Sequence, residues 1–153
     1  RAARHRGAAF VEILQNCNVF NDGAFDSYTD KSVRAERTLN LQDGEPLYFG
    51  KDNDKALNFK GGMHGVEIEV VNRAEIDESK LIVHNESSEP NLLARLLVSL
   101  DEERYPVPLG VFRSKEKPLY TNLLEDQVEQ ATQTKGRGKL MDHLHSVDTW
   151  EVN

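Results

Sequence analysis

The chain has 153 residues, enough for one ordinary domain or for part of a larger protein. It is 38% hydrophobic and 29% charged with a mean hydropathy of −0.61, which predicts a polar, soluble chain with a modest core. A formal charge of −7 argues against non-specific nucleic-acid binding, a single cysteine excludes an internal disulfide, and no run approaches membrane-spanning length.

Residues 1–6 are basic and read as the tail of a helix, with Gly7 at its end. With Arg rather than Met in first place, they lead us to expect part of a longer polypeptide, its C-terminal portion. Residues 1–10 lack the apolar core of a signal peptide, and with one cysteine the simplest setting is a reducing cytoplasm. Residues 8–14 are short, apolar and rich in Val, Ile and Phe, with one charge at Glu12. That pattern predicts a strand covered on both faces, as in a parallel sheet. Cys17 then lies just past the carboxyl end of this strand, the edge where α/β sheets gather ligands. Taken alone, a lone cysteine is most often a small buried hydrophobe. One thiolate holds neither zinc nor an iron–sulfur cluster without ligands from elsewhere.

Asn21-Asp22-Gly23 is a turn signal, and residues 32–37 suit a short charged turn of helix. Residues 38–41 alternate, with Leu39 and Leu41 on one face; after the turn at 42–46 they pair in a predicted hairpin with residues 47–49. Asp52-Asn53-Asp54 resembles the start of a calcium loop but lacks the downstream Gly and Glu at the right spacing, so it reads as a solvated turn. A second strand pair is expected from 56–59 and 66–71, joined through Gly61 and Gly62, with Val66, Ile68 and Val70 on one face. Residues 81–84 form a further short strand ending in His84.

Ser87 and Ser88 are candidate N-caps for a helix with Pro90 in its first turn, whose stripe is Leu92, Leu93, Leu96, Leu97 and Leu100. Residues 109–113 read as a strand. Residues 118–134 read as a second helix with a narrow apolar face of Leu123, Leu124, Val128 and Ala131, broken by Gly136 and Gly138. A short amphipathic segment follows, in which His143 and His145 lie on different faces of a helix and make no metal site. Trp150 is expected to bury its ring and anchor the tail. From these elements alone the fold class is α/β: the edge of a parallel sheet followed by a β-rich, helix-capped extension. A Gly-rich phosphate cradle, a nucleophile elbow and a cysteine pair are all missing, so the chain does not carry a complete active site.

The run A-F-V-E-I-L-Q-N-C-N-V-F-N-D-G-A-F at 9–25 closely resembles the β subunits of 2-oxoacid:ferredoxin oxidoreductases, particularly those assigned to 2-oxoglutarate. R-A-E-R-T-L-N-L-Q-D-G-E-P-L-Y-F-G at 34–50, P-L-G-V-F-R at 108–113 and D-T-W-E-V at 148–152 are similar to the same family's C-terminal portion. The resemblance implies that residues 1–31 close a thiamine-diphosphate-binding parallel-sheet domain and carry a cluster-ligand loop, with 32–153 as the β subunit's C-terminal extension. It implies a [4Fe–4S] cluster, with Cys17 as its fourth ligand. It also implies thiamine diphosphate and Mg²⁺, held mainly by residues outside this chain, and places no catalytic residue within it. Many relatives have Pro before this cysteine, where this chain has Asn16.

The implied reaction is oxidative decarboxylation of 2-oxoglutarate with coenzyme A to succinyl-CoA, with electrons leaving through the cluster to ferredoxin. The implied partners are an α subunit, ferredoxin, the 2-oxoacid and coenzyme A, with no nucleic acid and no membrane. Asn16, Asn18 and Asn21 carry two readings, as amide donors to cluster sulfurs or as turn chemistry. Basic clusters at 113–117 and 135–139 are candidate ferredoxin contacts, though solvated lysines explain them more simply. Pyruvate or another 2-oxoacid is the alternative substrate, and a non-catalytic subunit-interface module is the alternative of a different class.

Overall fold

A computed structural model describes residues 1–63, 65–148, 150 and 152. The fold is mixed α/β, as the sequence implied, and divides into two compact units, Glu12–Lys115 and a second made of Arg1–Val11 with Glu116–Asn153.

The larger unit begins with two single-turn helices, α1 (Asp26–Thr29) and α2 (Arg34–Arg37), the second where a charged turn was expected. Strand β1 (Thr38–Leu41) follows, then β2 (Tyr48–Phe49), β3 (Lys55–Gly62) and β4 (Gly65–Asn72). Helix α3 is Leu92–Val98 and strand β5 is Val107–Gly110. β2, β3 and β4 form an antiparallel sheet in that order, while β1 pairs in parallel with β5 in a separate two-stranded sheet.

Alternation explains the core. In β3 and β4 the pairs Leu57–Val70 and Phe59–Ile68 share one face, and Asn58–Glu69 share the other, where the Asn58 amide donates to Glu69 at 3.1 Å. Leu39, Leu47, Phe49 and Leu57 meet Leu97 of α3 in the buried cluster, with Leu41, Phe59, Ile68, Leu93, Leu100, Tyr105 and Phe112 packed around it. The helical spacing of Leu93, Leu97 and Leu100 is what brings one face of this segment to the sheet.

Several expectations are corrected. Residues 8–14 form no strand: Phe10 is 91% exposed and Ile13 76%. A doubly covered parallel strand needs hydrogen-bonded neighbours, and none of the described residues pairs with this stretch. The helix expected before it is a single 3₁₀ turn, Ala2–Arg4. The hairpin of β1 with β2 does not form, because the loop between them bonds elsewhere: Gly44 donates to the His84 carbonyl and His84 N–H to the Glu45 carbonyl, at 2.8 and 2.9 Å. Residues 81–84 accordingly contribute one bridge, Pro46 to Val83, instead of a strand.

Gly61 and Gly62 lie within β3, not in the turn, and β5 begins two residues before the expected strand. At α3 the N-cap position is Asn91; Ser87 instead donates its N–H and hydroxyl to the Asn85 side chain in a preceding turn. In the second unit, α4 (Tyr120–Lys135) and α5 (Leu140–Leu144) occupy the expected places, and α4 ends at Gly136. The face of α4 is exposed, with Leu123 at 54% and Val128 at 59%. Trp150 does not anchor the tail, since its ring is 84% exposed; its neighbours Thr149 and Glu151 lie outside the described residues.

Candidate functional site

The cysteine lies on a closed loop that the sequence builds from amides and a glycine. Asn21 donates its N–H to the Cys17 carbonyl at 2.9 Å, making a tight turn over 17–21. The Asn16 side chain spans the base of that turn: its Nδ2 donates to Asp22 Oδ1 at 2.8 Å and its Oδ1 accepts the Gly23 N–H at 3.0 Å. Asp26 N–H then bonds the Gly23 carbonyl at 3.1 Å, joining the loop to α1, where Tyr28 is buried.

Cys17 is exposed and free, not the buried hydrophobe that composition alone favours. The backbone N–H groups of Phe20 and Val19, with a smaller contribution from Asn21, stabilise the thiolate and hold the thiol below its ordinary range. Such a sulfur is suited to metal ligation, because N–H donors at a thiolate are what hold and tune a cluster ligand. It supplies one ligand of four, and no group of three or more His, Cys, Asp or Glu side chains among the described residues is placed to hold a metal ion. Cys17 therefore fits a cluster as one corner. The same absence of a metal-binding group among the described residues means that none of them is assigned to Mg²⁺ or thiamine diphosphate.

The three asparagines are differently placed. Asn16 spends its side chain on Asp22 and Gly23, which is turn chemistry; Asn21 acts through its backbone N–H; Asn18 is exposed. Of the basic clusters, Arg113 pairs with Glu89 at 2.6 Å and Lys115 reaches the Ser87 carbonyl at 3.4 Å. His84 is buried, its Nε2 2.8 Å from the Val111 carbonyl.

Two features escaped sequence reasoning. Asp22 was read only as a turn residue, although an Asn ahead of an Asn-Asp-Gly turn is a signal for a side-chain closure. A polar hollow of about 500 Å³, lined among others by Thr38, Asn40, Gln42, Tyr48 and Arg73, lies along β1 and β2. The Arg73 guanidinium stands 4.3 Å over the Tyr48 ring and pairs with Glu78 at 2.7 Å. It joins residues from separate segments, and no local pattern announces it. No helix among the described residues is long and apolar enough to cross a membrane.

Comparison with known proteins bears out the likeness seen in the motifs. The chain is 34% identical to the 2-oxoglutarate oxidoreductase subunit KorB of Mycobacterium tuberculosis over 99% of its own length. It is homologous to a segment of that subunit and spans 40% of the subunit's length. No family model matches the chain, and no solved structure matches it.

Proposed function

We propose that this chain, homologous over almost its whole length to a segment of a 2-oxoglutarate oxidoreductase subunit, is part of the β subunit of a 2-oxoacid oxidoreductase. That single likeness carries the reading. On it, the enzyme decarboxylates 2-oxoglutarate with coenzyme A to succinyl-CoA and passes the electrons to ferredoxin, in partnership with an α subunit. Thiamine diphosphate with Mg²⁺ would supply the carbanion chemistry from outside this chain. The role of the chain itself is electron transfer, with Cys17 as one thiolate ligand of a [4Fe–4S] cluster. The exposed position of Cys17, and the backbone N–H groups of Phe20 and Val19 that hold its thiol below the ordinary range, support that role.

A second reading, an interface module without a redox role, is favoured by the smaller unit: none of its described residues is buried, and the apolar faces of α4 and α5 are open. Iron analysis separates the two. Anaerobically purified holoenzyme should be brown and hold about four iron atoms per β subunit for each such cluster. Cys17→Ala should lose most of the iron of the cluster it serves and most ferredoxin reduction. Full iron content in that variant would overturn the ligand assignment. Side-by-side decarboxylation assays with 2-oxoglutarate and pyruvate decide the substrate.

A further inference from the structure

We propose that the open edge of β4 is a docking site for the α subunit, which lays against it an extended strand of alternating apolar and basic side chains. The inference rests on the reading of this chain as part of a β subunit that works beside an α subunit.

β4 is the outermost strand of its sheet, with β3 on one side and no strand on the other. The direction of its free backbone groups follows from β3. Leu57 stands opposite Val70, yet it donates its N–H away from β4, to the Leu47 carbonyl at 2.9 Å. Leu57 and Val70 therefore form a pair without mutual hydrogen bonds, and Val70 turns its N–H and C=O outward. With a period of two, Ile68 and Val66 do the same. Among the described residues one group bonds to this row, the Tyr105 hydroxyl, 3.4 Å from the Ile68 carbonyl. That is long for a hydroxyl donor, and a docked strand replaces it with a shorter bond.

The side chains define the occupant. Val66 is 56% exposed and Val70 47%, on the face that carries Ile68 to the core, so the apolar stripe of β4 runs on past its cover. On the other face stand Glu67, which is exposed, and Glu69. The turn that brings Tyr105 to this edge carries Asp101, Glu102 and Glu103, all exposed. A strand laid here sets apolar side chains beside Val66 and Val70 and meets carboxylates with its Lys or Arg on the opposite face. Lys60 already stands across from Glu67 on β3, and a basic residue on the open side repeats that pairing. A second copy of this chain does not suit the edge. Residues 65–72 hold Glu67 and Glu69 and no Lys or Arg, so two antiparallel β4 strands would set like charges together.

Amide hydrogen exchange on the holoenzyme reads the docked strand directly. Val66, Ile68 and Val70 should exchange as slowly as the amides of β3, although their N–H groups point away from it. Exchange at the rate of open amides would overturn the proposal. A photoreactive benzophenone side chain in place of Val66 identifies the occupant: it should capture the α subunit, and capture of β subunits alone would refute the assignment.

Two substitutions separate backbone from charge. Val66→Pro removes an outward donor and no bond of the β3–β4 ladder, so the sheet keeps its protection while the α–β pair weakens. Glu67→Lys, at an exposed side chain, should raise the α–β dissociation constant about tenfold or more, while Glu67→Asp stays near wild type. Wild-type affinity in both Val66→Pro and Glu67→Lys would sink the proposal. If no α subunit co-purifies with this chain's subunit, the reading as a β subunit falls and this proposal with it. If the two hold together while the edge amides exchange freely, only the docked strand is overturned.

Discussion

At residue scale, the polar side chains of this chain act mostly as local fasteners, and Glu36 is the clearest case. From α2 its carboxylate accepts from Lys55 Nζ at 2.5 Å and from the Lys51 N–H at 3.1 Å, tying the helix to the start of β3. The Lys55 hydrogen bond, then the Lys51 N–H, hold the Glu36 carboxyl below its ordinary range. A carboxyl whose folded value is depressed adds stability above its unfolded value and loses it as the pH falls through the folded value. Wild type should therefore exceed Glu36→Gln in stability near neutrality by at most about 1 kcal/mol, since the pair is partly exposed. The gap should close as the pH drops below the ordinary glutamate value of about 4.3. Urea midpoints at pH 7 and pH 3 measure it, and an equal gap at both would mean the bond is not the cause. None of this was visible in the sequence, where Glu36 and Lys55 are merely two charges in separate segments. Cys17 was easier, because its motif carried a resemblance that its burial statistics did not.

At the scale of elements, the legible parts were those whose signal is internal. The alternation of β4 and the helical spacing of α3 and α4 each name an element without reference to anything distant. What failed was pairing. The loop after β1 looked like a hairpin turn, but its backbone groups are taken by His84, so β1 is free to join β5 near the far end of the larger unit. Partners so distant in sequence leave no periodic trace. The β1–β5 pair has its own weak point at Gly110, which faces Leu41 at φ +126°. A Cβ at residue 110 would lie 3.0 Å from the Leu41 carbonyl oxygen and 3.2 Å from its Cβ. Gly110→Ala should accordingly cost about 1–3 kcal/mol through a left-handed backbone and a contact that strand backbone cannot relieve. Chemical denaturation of the variant tests this, and a wild-type midpoint would show that the register at Leu41 and Gly110 is wrong.

For the molecule as a whole, stability is concentrated in one unit. Leu39, Leu47, Leu57 and Leu97 are all but inaccessible in the larger unit, whereas the smaller has no buried residue among those described. The sequence pointed to α4 as an amphipathic helix but could not say that this chain leaves its face open, because an apolar stripe looks the same whether covered or not. A pair of truncations of one chemistry distinguishes the two environments. Leu97 is 1% exposed and packed against three strands, so Leu97→Ala removes buried methyl groups and leaves a cavity, at a cost of about 2–5 kcal/mol. Leu124, on α4, is 44% exposed, and Leu124→Ala in the isolated chain should change stability by no more than about 0.5 kcal/mol. Urea unfolding should show the Leu97→Ala midpoint falling with its slope unchanged, which marks lost stability and not a change in the surface exposed on unfolding. A loss of comparable size from Leu124→Ala would mean that the face of α4 is covered even without a partner. If the chain instead works as one segment of a larger subunit, the Leu124→Ala effect should grow when the same variant is measured in the holoenzyme, where an open apolar stripe finds its cover.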